Sequence, residues 1–324
     1  MDAEGDDRRE DRLRIGVSSC LLGENVRWDG GHKRDRFLTD ELGPFVEWVP
    51  VCPEVEVGLG TPRPTLRLVR RGDDVRMVEP KSGADHTEAM RAYARRRVRA
   101  LDREGLSGYV LKKDSPSCGM ERVKVYAGPG AGAREGRGLF AEALIERFPH
   151  LPVEEEGRLG DARLRENFVV RVFAYRRLRG LFASRWSAGK LVAFHTAHKL
   201  LLLAHVPAAY SRLGRLVADA RSIAREELSR RYQDEFMEAL ARPSTRRLHT
   251  NVLQHMAGYF RGRIDVADRD ELLALIEEHR LGRLPLIVPL TLVRHHARRL
   301  GVTYLLGQVY LDPHPKELML LNRV

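Results

Sequence analysis

Short Val-rich apolar blocks, separated by polar breakers, mark the first half of the chain. "RIGVSSC" (14–20), "FVEWVPVC" (45–52), "DVRMVEP" (74–80), "SGYVLKK" (107–113) and "RVKVYAG" (122–128) each read as a strand. Residues 86–105 carry a helical pattern stopped by Gly105, and 136–149 carry another closed by Pro149. Strands alternating with helices predict an α/β domain with a largely parallel sheet flanked by helices. The Gly-rich stretch 127–138 holds no GxGxxG fingerprint and reads as a flexible connector.

In the second half the apolar period changes to that of helices. Segments 161–182, 188–205, 215–240, 247–262, 268–282 and 290–301 all fit it. The pattern predicts a disordered tail over 1–11, an α/β domain over 12–160 and an all-α domain over 161–324. The acidic start "MDAEGDDRRED" is unlike a secretory signal, and no apolar run approaches the roughly 18–20 residues that cross a bilayer. A cytoplasmic protein with no membrane contact is expected.

Charge separates the halves further. Residues 1–150 hold 27 Lys/Arg against 26 Asp/Glu, whereas residues 151–324 hold 29 against 19. The basic excess of the chain, +11 in all, therefore sits in the helical half. Such an excess attracts polyanions such as nucleic acid, and equally describes solvated Arg-rich helix faces.

Three cysteines are too few for a secreted disulfide framework. Cys20, Cys52 and Cys118 each fall at, or a few residues past, the carboxyl end of a predicted strand. In an open parallel sheet those ends share one edge, where α/β folds build their sites. Convergence of the three is therefore expected. Converging thiolates suit a Cys₃ zinc site or an iron–sulfur cluster with one open iron, and the spacing does not separate the two. Around them stand candidate acid–base and hydrogen-bonding groups: Glu54, Glu56, Ser18, Ser19, Ser115, Ser117, Lys112, Lys113 and Asp114.

"SSCLLGENVRWDGGHKR", "VCPEVEVGLGTPRPTLRL" and "LKKDSPSCG" together resemble the thiouracil desulfidase family, over roughly residues 12–150. The resemblance implies a [4Fe–4S] cluster held by Cys20, Cys52 and Cys118, whose open iron takes the sulfur of a thiolated pyrimidine. It places the catalytic glutamate on Glu54 and the catalytic serine in "DSPSCG", at Ser115 in preference to Ser117. Trp28 stands where tyrosine is expected. Residues 185–324 resemble a helical family often fused to the first, as in desulfidases of 4-thiouridine in tRNA. The expected activity is removal of sulfur from tRNA thiouridine by a non-redox, hydrolytic enzyme. The alternatives are action on free thiouracil or thiouridine nucleosides, or a non-catalytic RNA-binding protein with a structural or sensing cluster.

For the helical domain, Lys199, Arg246, Arg247, Arg261, Arg263, Arg294, Arg298 and Arg299 are candidate phosphate contacts, with Tyr259 a candidate base-stacking ring. His195, His198, His205, His249 and His255 lie on predicted helices. No HExxH motif accompanies them, so buried hydrogen bonds or helix surface are expected there rather than a metal.

Overall fold

The computed structural model describes residues 13–322 apart from 129 and 184, so the predicted tail over 1–11 lies outside the described residues. The chain divides into two units between Gly160 and Asp161.

Among the described residues the first unit carries β1 (Leu13–Ser18), β2 (Val46–Val51), β3 (Arg67–Arg71), β4 (Asp74–Val78), β5 (Gly108–Leu111), β6 (Val123–Tyr126), β7 (Ala133–Gly136) and β8 (Val153–Glu155). Its helices are α1 (Pro53–Glu56), α2 (Thr87–Leu101) and α3 (Leu139–Arg147). One sheet is parallel throughout, in the order β2-β1-β5-β8. Its centre is buried on both faces, which is why β5 reads as an unbroken apolar run. Gly16 and Tyr109 are register partners on β1 and β5, and a Cβ on Gly16 would lie 2.1 Å from the Tyr109 ring. The missing side chain is what lets that ring lie flat in the core.

The α/β expectation holds, with one difference. The predicted strands 74–80 and 122–128 do not join the parallel sheet. They form a second, mixed sheet in the order β4-β3-β6-β7, in which only β3 and β6 run parallel. Part of the Gly-rich connector is β7, three of whose four residues are exposed. It is held by backbone pairing and shows no apolar pattern. β8 is acidic yet half-hidden: Glu154 pairs with Arg158 at 2.6 Å, and Glu155 accepts the Met120 N–H at 2.7 Å.

The second unit is helical: α4 (Ala162–Ala183), α5 (Ala188–Ala197), α6 (Lys199–His205), α7 (Pro207–Ala218), α8 (Arg225–Ala241), α9 (Arg246–Ala257), α10 (Val266–Arg280), α11 (Ile287–Arg299) and α12 (Thr303–Leu306). Leu200, Leu213, Tyr232, Phe236, Leu253 and Leu290 are among its fully buried side chains. Two predicted helices are each split. The segment 188–205 breaks at His198, where Gln308 accepts the Leu200 N–H and donates to the Thr196 carbonyl. The segment 215–240 starts earlier, with Pro207 in the first turn of α7, and is interrupted before α8. Pro289 sits inside the first turn of α11, where no intrahelical N–H is needed. Among the described residues no helix is long and apolar enough to cross a membrane.

His195, His198, His205 and His249 are buried in this unit, whereas His255 is exposed. Burial pushes His195 and His205 down to about 4, and His198 and His249 down to about 3. Each folded value lies below the unfolded one, so the unfolded chain binds more protons as pH falls through about 6.5. Stability contributed by the neutral rings is then lost progressively towards pH 4. At pH 5 each ring would cost about 2 kcal/mol relative to pH 7, against a typical total of roughly 5–15 kcal/mol. The thermal midpoint of the helical transition, followed by circular dichroism, is expected to fall steeply between pH 7 and pH 5. A midpoint unchanged over that range would contradict the burial of neutral histidines.

Candidate active site at the carboxyl edge of the parallel sheet

β2, β1 and β5 are neighbours, so their carboxyl ends at Val51, Ser18 and Leu111 form one edge. Cys20 lies two residues beyond β1, Cys52 one residue beyond β2, and Cys118 in the turn after β5. All three line a single cavity of about 300 Å³, together with Glu54, Arg63, Ser115 and Ser117. Strands pack about 4.8 Å apart, so three adjacent ends deliver side chains to a space roughly 10 Å across.

Each turn is anchored to its surroundings. Cys52 precedes α1, whose Glu56 accepts the Cys52 N–H at 3.1 Å through Oε1. The other oxygen of Glu56 accepts from the Tyr93 hydroxyl at 2.8 Å and faces Arg97 at 3.1 Å. Glu56 is thus committed to the scaffold. The turn carrying Cys118 caps α3: the Ser117 carbonyl accepts from the N–H groups of Phe140 and Ala141, and the Pro116 carbonyl from Leu139. These carbonyls satisfy donors that every helix leaves open at its start. A Cβ on Gly138 would lie 2.4 Å from the Ser117 carbonyl oxygen, so glycine is required at that approach.

Glu54 is the centre of a polar network in the cavity wall. Its Oε1 accepts the Ser117 hydroxyl at 2.7 Å and lies 3.5 Å from Ser115 Oγ. Its Oε2 accepts Nε and Nη2 of Arg63 at 2.9 and 2.6 Å. The two serine hydroxyls are 3.0 Å apart. Ser115 Oγ also accepts the backbone N–H groups of Ser117 and Cys118, at 3.3 and 3.1 Å. Its lone pairs are therefore occupied, and its proton faces Ser117 Oγ and Glu54 Oε1. Ser117 is buried and Ser115 half-buried, so Ser115 is the hydroxyl with access from the cavity mouth. Trp28, 47% exposed, lines the same cavity.

The thiols meet a low-dielectric setting. Burial pushes Cys20 up to about 11, despite the nearby Lys112 ammonium, and raises Cys52 and, most of all, Cys118. The mutual repulsion of their charges adds to the effect. Three thiols with raised pKa values facing one cavity gain stable thiolate form with a cation among them. The donor set fits a thiophilic metal group. Among the described residues, however, no three His, Cys, Asp or Glu side chains are arranged to hold one metal ion.

Arg63 is the site residue that sequence reading missed. It lies within "GTPRPTLRL", and its isolated position between prolines gave no sign that its guanidinium would be buried. Lys112, read as turn chemistry, pairs with Glu156 at 2.5 Å at the edge of the cavity.

The candidate RNA contacts fall into two groups. Arg294 pairs with Asp312 at 3.0 Å, Arg299 with Asp268 at 2.6 Å, and Arg263 donates to the Leu300 carbonyl at 2.8 Å. Arg246, Arg247, Arg261 and Arg298 are exposed. Arg247 lines an open groove of about 880 Å³ with Asn251, Gln254 and Arg280. Lys199 lies over the rings of Tyr210 and Tyr304, and Tyr304 stacks on Tyr259.

Fold and site define an α/β protein with a cysteine-lined pocket on its sheet edge, followed in the chain by a helical unit. Residues 15–156 match the family model described as 2-thiouracil desulfurase, and residues 199–315 match one described as a protein of unknown function, DUF1722. The chain is 34% identical over 155 residues to YbgA of Escherichia coli (strain K12), covering 48% of this chain and 92% of that protein. It is 33% identical over 148 residues to YbbK of Bacillus subtilis (strain 168), covering 43% of this chain and 93% of that protein. Among solved structures it is similar to a [4Fe-4S]-dependent thiouracil desulfidase, TudS, with 34% identity, 46% of this chain and 94% of that chain covered, and a TM-score of 0.37. The chain belongs to the 2-thiouracil desulfurase family, with a DUF1722 domain following.

The three thiols differ in access. Cys52 is partly exposed, whereas Cys20 and Cys118 are buried, Cys118 with the higher pKa. Alkylation of metal-free protein at pH 8, followed by peptide mass spectrometry, is expected to label Cys52 first and Cys118 last. Equal labelling rates would show that the three do not share this enclosed setting.

Proposed function

We propose that this protein is an iron–sulfur-dependent desulfidase that removes sulfur from 4-thiouridine in tRNA, yielding uridine and hydrosulfide. The observation that carries the reading is the shared cavity: three thiols, a carboxylate and two hydroxyls face about 300 Å³ of space. That volume is at the small end of ligand pockets, roughly 300–1,000 Å³, and suits a small heterocycle. Membership of the 2-thiouracil desulfurase family supports a thiolated pyrimidine as the ligand. The basic excess of the second half supports an RNA carrier for it.

Cys20, Cys52 and Cys118 would hold a [4Fe–4S] cluster. Three thiols facing one cavity are soft donors of the kind that would hold such a cluster. Bound there, the cluster supplies a soft Lewis acid with affinity for the sulfur of the substrate. The chain's own groups do the rest. Glu54 Oε1 takes a proton from the attacking water, since Oε2 is occupied by Arg63. Ser117 holds Oε1 in place, and Ser115, hydrogen-bonded into the same network, orients the substrate or water. Water supplies the oxygen that replaces sulfur on the ring carbon, and the sulfur leaves as hydrosulfide without net electron transfer. Trp28 offers an aromatic face for the base at the mouth.

The test is anaerobic reconstitution followed by assays on thiouracil, 4-thiouridine and thiolated tRNA. C118A is expected to lose iron and turnover together, and E54Q to keep iron while turnover falls about 100–10,000-fold. A cluster-free C118A protein with full activity would sink the mechanism. Turnover of tRNA is expected to weaken steeply between about 50 and 200 mM salt, while turnover of free thiouracil stays level. Equal salt response for both substrates, or action on thiouracil alone, would rule out the RNA role.

A further inference from the structure

We infer that Arg63 is a positioning residue that makes Glu54 a one-oxygen base. The inference rests on the reading of Glu54 as the proton-handling group. The Arg63 side chain is 4% exposed and that of Glu54 13%, so the pair is screened little by water. A guanidinium facing a carboxylate usually forms a fork, one nitrogen to each oxygen. Here both Nε and Nη2 converge on Oε2, at 2.9 and 2.6 Å. Oε1 is left to the serine pair and the cavity.

The third nitrogen fixes the guanidinium itself. Nη1 donates to the carbonyls of Val26 and Gly60, at 3.0 and 2.8 Å. The Arg63 N–H donates to the Trp28 carbonyl at 3.0 Å. Arg63 therefore ties Glu54 to the wall that carries Arg27 and Trp28. The Val26 carbonyl is also 3.8 Å from Cys52 Sγ, so the same residue steadies the backbone over that thiol. Lysine offers a point charge and three donors on one nitrogen, and cannot reach Oε2, Val26 and Gly60 in this geometry. With Arg63 gone, the carboxylate is free to turn, and either oxygen can meet the serines.

The experiment uses full-length protein reconstituted to equal iron and acid-labile sulfide, with free thiouracil as substrate. R63M is expected to lower kcat about 100-fold with KM changed less than about threefold, as for a misplaced catalytic group. R63K, which keeps the charge, is expected to lose about tenfold, and added guanidinium ion at non-denaturing concentration to restore part of the R63M rate. In the E54Q background, R63M should cost nothing further, because the two act as one unit. Full kcat in R63K, or losses from E54Q and R63M that multiply, would overturn the inference. Should R63M lose its fold, R63K and the E54Q/R63K pair carry the same comparison. Full activity in E54Q would overturn the underlying reading, whereas an inactive E54Q beside fully active Arg63 variants would overturn only the role of Arg63.

Discussion

Parallel pairing of β2, β1 and β5 is the constraint on which the rest of the first unit depends. Parallel neighbours present all their carboxyl ends on one edge, and connections between them must cross over a face of the sheet. Cysteines separated by 32 and 66 positions are thereby brought to one cavity. The register is specific because a one-residue slip would turn every side chain to the opposite face. Gly16 against Tyr109 reinforces it, since a neighbouring residue with a Cβ would collide with the ring. Site geometry is therefore set by the burial of apolar strands some distance from the chemistry.

Two polar anchors convert that edge into a defined site. The Cys118 turn is held by the start of α3, whose N–H groups take the carbonyls of Pro116 and Ser117. The Cys52 turn is held by Glu56, itself tied to Tyr93 of α2. Their value is rigidity: buried backbone groups must be paired, and here the pairing also fixes where a thiol points. The ion pair of Glu54 and Arg63 is different in kind. Removing either partner of a buried pair leaves an uncompensated charge and costs roughly 3–5 kcal/mol. A pair so costly to break is consistent with the local stability of the wall and the orientation of Glu54 resting on the same contacts.

Much of this was legible in the sequence, for identifiable reasons. β1 and β5 are buried on both faces and read as apolar runs, while β2, at the sheet edge, keeps Val46, Val49 and Val51 buried between exposed Glu47 and Pro50. The cysteines could be placed at strand ends because turn residues follow each of them. β3, β7 and β8 were missed because they are short and carry arginines or glutamates, so none leaves an apolar period. The break at His198 was missed because Gln308, over a hundred positions away, takes over the backbone bonds there. Pro207 and Pro289 lie inside the first turns of α7 and α11, so both helices begin before the apolar period starts.

Arg63 shows where local reading ends. A single arginine between two prolines has the composition of a surface loop, and long charged side chains are almost never buried without partners. What buries it is a set of acceptors drawn from three separate stretches: Val26, Glu54 and Gly60. Two of them are main-chain carbonyls, which leave no mark in the sequence. A carboxylate near a cavity is a common feature; one whose second oxygen is already taken by a buried guanidinium has only one way to accept a proton. The identity of Glu54 suggested an acid–base group, but its direction is written only in the folded chain. On the proposed reading, Arg63 sets which oxygen of Glu54 faces the cavity.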